Sequence, residues 1–321
     1  MSKDLLEVQN LATWFFTRRG VVKAVDGVTF SLKRGKILGI VGESGCGKSM
    51  TVLSLLRLVP YPGKIVKGSI FFEGENLLEK SDAEMRRIRG KKMSIILQDP
   101  MSSLNPAYSI GEQVAEVVRS ARRLKGKSLW NTVITALTLV KIPSAEKRLR
   151  DYPHQMSGGM RQRVTGAVAL SCGPSLLMAD EPTTSLDVTI QAQYIALLKQ
   201  VQKESNTAMI FVTHDFGIIA ALCDEVAVMY AGKIVERADV REIFKNPFHP
   251  YTIKLLGCVP RIEVDNDRLV SIEGQPPELI NLPAGCRFFP RCSETVKECS
   301  IELPREVRKG NNHTVSCWRY S

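Results

Sequence analysis

Ile37-Leu38-Gly39-Ile40-Val41-Gly42-Glu43-Ser44-Gly45-Cys46-Gly47-Lys48-Ser49 is the stretch whose reading decides the architecture. A short apolar run reads as a buried strand, the Gly-rich run as a turn, and the apolar segment after it, through Val59, as a helix. Residues 42–49 match G-x-x-x-x-G-K-[ST] in the strand–loop–helix setting that this pattern requires. Its glycines let backbone N–H groups converge on phosphate oxygens, and the following helix turns its positive end towards them. Lys48 is expected to reach the β- and γ-phosphates, and Ser49 to offer its hydroxyl to Mg²⁺.

Three more apolar runs, at 94–97, 176–179 and 209–212, have the same strand character and end in polar residues: Gln98, Asp180, and Thr213 with His214. Strands alternating with helical segments predict an α/β fold, in which ligands sit beyond the carboxyl ends of the strands. Two adjacent carboxylates at a strand end suit a solvated turn, but beside a phosphate loop they suit a division of labour. Asp180 is expected to hold Mg²⁺ through its water shell, and Glu181 to polarise the attacking water. His214 is placed to sense the γ-phosphate. Between Gln98 and about Asp151 strand patterns give way to helical ones at 111–121 and 129–140, a helical insertion that returns to the sheet near Ser157. From Gly232 onward the chain turns Pro- and Cys-rich, with short helices at Val240–Lys245 and 251–256, which suggests a separate small unit.

The 321 residues, 44% hydrophobic and 24% charged, suffice for a full core and one appended unit. No apolar run reaches the roughly 18–20 residues that cross a bilayer, and Met1-Ser2-Lys3-Asp4-Leu5 lacks the apolar core of a signal peptide. A cytoplasmic protein is expected, with membrane association through partners or surface. The net charge of +11 concentrates at Arg86, Arg87, Arg89, Lys91 and Lys92, and at Arg119, Arg122, Arg123, Lys125 and Lys127. No nucleic-acid module accompanies these clusters, so a solvated face, with mild attraction to an anionic leaflet, is expected rather than nucleic acid.

Ser157-Gly158-Gly159-Met160-Arg161-Gln162-Arg163 completes a set of motifs that resembles the nucleotide-binding subunits of ABC transporters over nearly the whole chain. Met160 stands where Gln is commoner in that family, and the Ser-Gly-Gly core is intact. The resemblance implies a P-loop ABC ATPase core over residues 1–231, a mixed sheet with flanking helices and a helical subdomain at about 99–160, followed by a small Cys-rich extension over 232–321. It implies ATP hydrolysis with Mg²⁺ in a head-to-tail dimer, where Ser157, Gly158 and Gly159 grip the partner's ATP. By the same resemblance Gln98 contacts Mg²⁺ and links hydrolysis to the membrane partner, Asp187 in Ser185-Leu186-Asp187 communicates across the dimer, and His214 is the switch histidine. Phe16, or Phe15, is its candidate for stacking on adenine.

Residues 98–106, 154–163, 180–189 and 246–252 resemble the dipeptide/oligopeptide/nickel importer branch and its D-type ATPase. That implies peptide uptake from the cytoplasmic face of the membrane. Its implied partners are a sister ATPase forming a heterodimer, two permease chains and an extracytoplasmic binding protein. Nickel complexes, glutathione or another small solute are alternative cargoes, and a non-transport ABC ATPase is a further alternative.

Cys286, Cys292, Cys299 and Cys317 form a C-x5-C-x6-C-x17-C array. Four thiolates suit a [4Fe–4S] cluster or tetrahedral zinc, and unligated cysteines are the third possibility. Zinc sites favour two tight pairs, which are lacking here, so the wide spacing favours iron–sulfur. D-type relatives carry such a cluster at this place.

Overall fold

The structure, a computed structural model, describes residues 4–184, 186–259, 271–310 and 312–321. Its strands are β1 (Asp4–Thr17), β2 (Gly20–Lys33), β3 (Ile37–Val41), β4 (Gly63–Phe72), β5 (Glu75–Asn76) and β6 (Met93–Ile96). They continue with β7 (Leu176–Asp180), β8 (Ala208–Thr213), β9 (Glu225–Tyr230), β10 (Lys233–Asp239), β11 (Glu306–Gly310) and β12 (His313–Ser316). The helices are α1 (Lys48–Leu55), α2 (Asp82–Ile88), α3 (Pro100–Ser103), α4 (Ile110–Arg122) and α5 (Gly126–Leu139). After them come α6 (Gly158–Leu170), α7 (Val188–Ser205), α8 (Phe216–Leu222), α9 (Val240–Lys245) and α10 (Pro250–Gly257). None of the helices among the described residues is long and apolar enough to cross a membrane.

The chain forms two compact units. The first gathers the described residues up to Leu32, then Ile37–Leu78 and the described residues from Val212 onward. Its antiparallel sheet has the order β2-β1-β4-β5, and a second set of strands runs β11-β12-β10-β9-β3. β3 lies parallel to β9, with Ile40 opposite Ala227, while β10 is antiparallel to both β9 and β12. The sheet is therefore mixed. β3 is buried at every position, as its unbroken apolar run requires. Val41, Phe216, Val228, Tyr230, Tyr251 and Phe288 form one core cluster, so residues from the far tail are packed around the strand that leads into the phosphate loop.

The second unit comprises Lys33–Lys36 and Glu79–Phe211. β7 lies parallel to β6, with Met93 opposite Leu176, and the order continues to β8. Between β6 and β7 the chain is helical. Ser109 caps α4 by accepting from Glu112 N–H, and α4 buries Ile110, Val114, Ala115 and Val118 on one face. α5 answers with Leu129, Val133 and Leu137. Each such large apolar side chain contributes about 1.5–3 kcal/mol when fully buried.

Several elements differ from the sequence reading. α1 stops at Leu55 rather than Val59, because Arg57 turns left-handed (φ 53°) ahead of Pro60. The N-terminal strands β1, β2 and β4 were not anticipated. Nor were the strands of the tail: β12 pairs with β10, Glu236 opposite Val315, so residues beyond Gly232 belong to the same compact unit as the phosphate loop.

Candidate active site

In the first unit, the phosphate loop runs from β3 into α1. A Cβ on Gly42 would stand 2.1 Å from the Met229 carbonyl, and one on Gly47 (φ 106°) 2.1 Å from the Ala24 carbonyl, so both positions require glycine. Gly45 (φ 77°) instead faces open space, with nothing within 4 Å of a Cβ. That is the room a phosphate needs. Lys48 is buried and donates to the carbonyls of Gly42 (2.8 Å) and Glu43 (3.1 Å). Ser44 is exposed and Ser49 half-buried. Burial pushes the Cys46 thiol up to about 11, so it stays neutral inside the loop. His214 is exposed directly after β8. On β1, Phe16 is exposed while Phe15 packs within 2.7 Å of where a Gly63 Cβ would stand. Neighbouring strand residues face opposite ways, so Phe16 is the aromatic available to a ligand.

In the second unit, Asp180 ends β7 and is buried. Glu181 follows in a left-handed conformation (φ 45°), an uncommon one for a residue with a Cβ. Its carboxylate accepts from Gln98 Nε2 at 3.1 Å and from Thr184 Oγ1 at 3.3 Å. The structure thus joins Gln98 and Glu181, which are 83 residues apart. Ser157 caps α6, its hydroxyl accepting from Met160 N–H at 3.3 Å. Gly158 leaves open space beside the helix start, whereas a Cβ on Gly159 would meet Ile190 of α7 at 2.7 Å. The exposed end of this 13-residue helix offers N–H groups and positive dipole to an anion. Asp187 caps α7, accepting from Ile190 N–H at 2.9 Å. Ser185 of the same segment lies outside the described residues.

The four tail cysteines influence one another. Cys286 N–H donates to the Cys299 carbonyl at 2.8 Å, and none of the four is in a disulfide. Burial, assisted by Cys299 and Cys317, pushes the Cys286 thiol up to about 11, while burial also raises Cys292 and Cys317. Among the described residues, no three His, Cys, Asp or Glu side chains are grouped so as to hold a metal ion. The expectation of a [4Fe–4S] cluster, and of zinc as its alternative, is therefore not supported: the thiols are near one another but not set around an ion.

Sequence reasoning missed the residues behind the phosphate loop. Arg291 pairs with the Glu43 carboxylate at 2.7 and 3.0 Å, and Tyr251 Oη lies 2.9 Å from Glu43 N. Arg287 pairs with Asp26 and with the Ala231 carbonyl. Pairs of this kind, 248 residues apart in the case of Arg291, leave no local pattern to read.

A family model described as ABC transporter matches residues 25–184, and one described as oligopeptide/dipeptide transporter, C-terminal region, matches residues 235–299. The dipeptide transport ATP-binding protein DppD of Bacillus subtilis (strain 168) is 47% identical over 317 residues, covering 98% of this chain and 95% of the relative. The oligopeptide transport ATP-binding protein OppD of Haemophilus influenzae is 46% identical, covering 98% and 97%. Among solved structures, the ATP-binding cassette MJ0796, a dimer bound to ADP and Pi, superposes with a TM-score of 0.67. At 24% identity over 74% of this chain and 99% of that one, it shows the fold alone.

Proposed function

The chain belongs to the ATP-binding proteins of ABC transporters, in their oligopeptide/dipeptide branch, and from that premise we propose that it hydrolyses ATP to drive the import of di- and oligopeptides. The observation that carries this reading is similarity along 98% of the chain to dipeptide and oligopeptide transport proteins, the tail included. The chain acts at the cytoplasmic face of the membrane, held there by two permease chains and paired with a sister ATPase. An extracytoplasmic binding protein delivers the peptide. Functionally, residues 1–231 are the nucleotide-binding part and 232–321 the extension.

Each residue has a distinct task. The N–H groups of residues 42–49 and Lys48 bind the β- and γ-phosphates, and Phe16 stacks on adenine. Ser49, Asp180 and Gln98 are the residues to hold Mg²⁺, which supplies charge neutralisation on the phosphate oxygens. The open space at Gly45 suits a phosphate, and the hydroxyl and carboxylate oxygens of Ser49 and Asp180 are the donor types that Mg²⁺ takes. Glu181 orients and deprotonates the attacking water, with Gln98 and Thr184 fixing its carboxylate. His214 senses the γ-phosphate. Ser157, Gly158 and Gly159 at the start of α6 grip ATP bound to the sister subunit, and Asp187 links the two sites. ATP favours the closed dimer because only there are its phosphates held from both sides.

Cys286, Cys292, Cys299 and Cys317 are the residues we assign to a [4Fe–4S] cluster. What supports this is the chemistry of four thiols free of disulfides that influence one another pairwise, rather than a preformed ion site. Uptake of labelled dipeptide, nickel and glutathione, compared in cells with and without the chain, tests the cargo. Loss of peptide uptake alone is expected. Loss of nickel or glutathione uptake with peptide uptake intact overturns it.

A further inference from the structure

Glu43 occupies the second position of the phosphate loop, where a carboxylate is a liability. A negative charge beside the place of a triphosphate weakens its binding unless something neutralises that charge. The neutralising group comes from the far end of the chain. Arg291 donates from Nη1 and Nη2 to the two carboxylate oxygens of Glu43, at 2.7 and 3.0 Å. The pair is shielded, with the Arg291 side chain 4% exposed and that of Glu43 25%. A two-pronged, desolvated pair of this kind fixes direction as well as charge.

Arg291 is itself held rigidly. Its Nε donates to the Glu273 carbonyl (3.0 Å), Nη2 also to the Ile272 carbonyl (3.1 Å), and Nη1 also to Tyr230 Oη (3.3 Å). Every guanidinium N–H therefore has an acceptor, and the Arg291 carbonyl takes the Lys254 ammonium at 2.8 Å. Glu43 has a second anchor. Its backbone N–H donates to the hydroxyl of Tyr251, which is wholly buried between Tyr230 and Phe288. Its carbonyl in turn accepts from Lys48 Nζ at 3.1 Å and from Cys46 N–H at 3.3 Å. One loop residue is thus gripped by the tail at its N–H and its carboxylate, and supports the phosphate-binding lysine with its carbonyl.

We propose that Arg291 and Tyr251 are positioning residues of the ATP site, through which the C-terminal extension sets the affinity of the phosphate loop for ATP. Arg291 cancels the Glu43 charge and draws it away from the phosphates, while Tyr251 holds the loop backbone that steadies Lys48. The inference rests on the assignment of this loop to ATP. It makes the tail part of the nucleotide site rather than an appendage, and links the segment carrying Cys292 to ATP by a single residue.

The test measures ATP affinity of the full-length chain by titration with a fluorescent ATP analogue, and KM and kcat of the assembled transporter. Arg291→Met is expected to weaken ATP binding about tenfold, through KM far more than kcat. Arg291→Lys, which keeps the charge but loses the fork, should fall between. The decisive variant adds Glu43→Gln to Arg291→Met. It removes the stranded charge and should recover most of the lost affinity, which a merely structural role for Arg291 does not predict. Unchanged affinity in folded Arg291→Met, or no recovery in the double variant, overturns the proposal. If Arg291→Met does not fold, Tyr251→Phe removes only one hydroxyl and should weaken binding about threefold; unchanged affinity there overturns it equally. A wild-type chain that binds no ATP refutes the site assignment, an outcome separate from these.

Discussion

His249 makes the stability of this protein acid-sensitive in a way that can be calculated. It sits at the N-cap of α10, fully buried, with Nδ1 accepting Tyr251 N–H at 3.0 Å and its backbone N–H donating to Glu236 Oε2 at 2.9 Å. Burial lowers its pKa from 6.5 to about 3. Below about pH 6.5 the unfolded chain takes up a proton that the folded chain refuses until about pH 3. The stability is therefore complete above pH 6.5 and is lost as pH falls towards 3, at up to about 1.4 kcal/mol per pH unit. By pH 5 the loss from this residue is about 2 kcal/mol. His249→Asn keeps an acceptor at the cap and removes the titration. Urea unfolding of both proteins at pH 7.5 and pH 5 isolates the effect, since all other titrating groups cancel in the difference. The wild-type advantage should shrink by about 2 kcal/mol on acidification. An advantage equal at both pH values would refute the buried, neutral state of His249.

Two further outcomes follow from the loop and the tail. Gly45→Ala should cost only the left-handed penalty of about 1–2 kcal/mol, because its Cβ enters open space, whereas Gly47→Ala should cost clearly more, because its Cβ meets the Ala24 carbonyl at 2.1 Å. Urea midpoints that rank the two equally would show that the loop does not pack on the β2 backbone. Purified without oxygen, the chain should carry about four irons and four acid-labile sulfides; replacement of Cys286 by Ser should remove them. One zinc per chain would replace the cluster with an ion, and no metal would leave the thiols unligated.

The parts of the site legible in the sequence are those whose chemistry is local. Gly42, Gly47 and Lys48 declare themselves because a tight turn onto neighbouring backbone tolerates no Cβ at the two glycines. Asp180 and His214 are visible because apolar runs end at them. The patterns at 111–121 and 129–140 reappear as α4 and α5 with one to three residues' difference at either end, since amphipathic spacing survives any context. What stayed hidden depends on distant pairing. β1 and β4 are recognisable only once Leu6 lies opposite Phe72, and β12 only once Val315 lies opposite Glu236. Phe15 and Phe16 are indistinguishable in sequence, and the strand's alternation separates them. Glu43 and Arg291 look unrelated until the fold joins them. The cysteine array marks the limit of spacing: it names four candidate ligands, but not how their side chains are set, and among the described residues they are not grouped around an ion.

Glu181 offers the most direct test of the central claim, that this chain hydrolyses ATP with that carboxylate as base. Glu181→Gln removes the base while leaving a side chain able to bond Gln98 and Thr184. ATP binding and steady-state phosphate release are measured on the transporter assembled with wild-type or variant chain. Binding should persist, with the closed dimer trapped, while turnover falls about 100-fold or more. Undiminished hydrolysis by the variant would contradict the account.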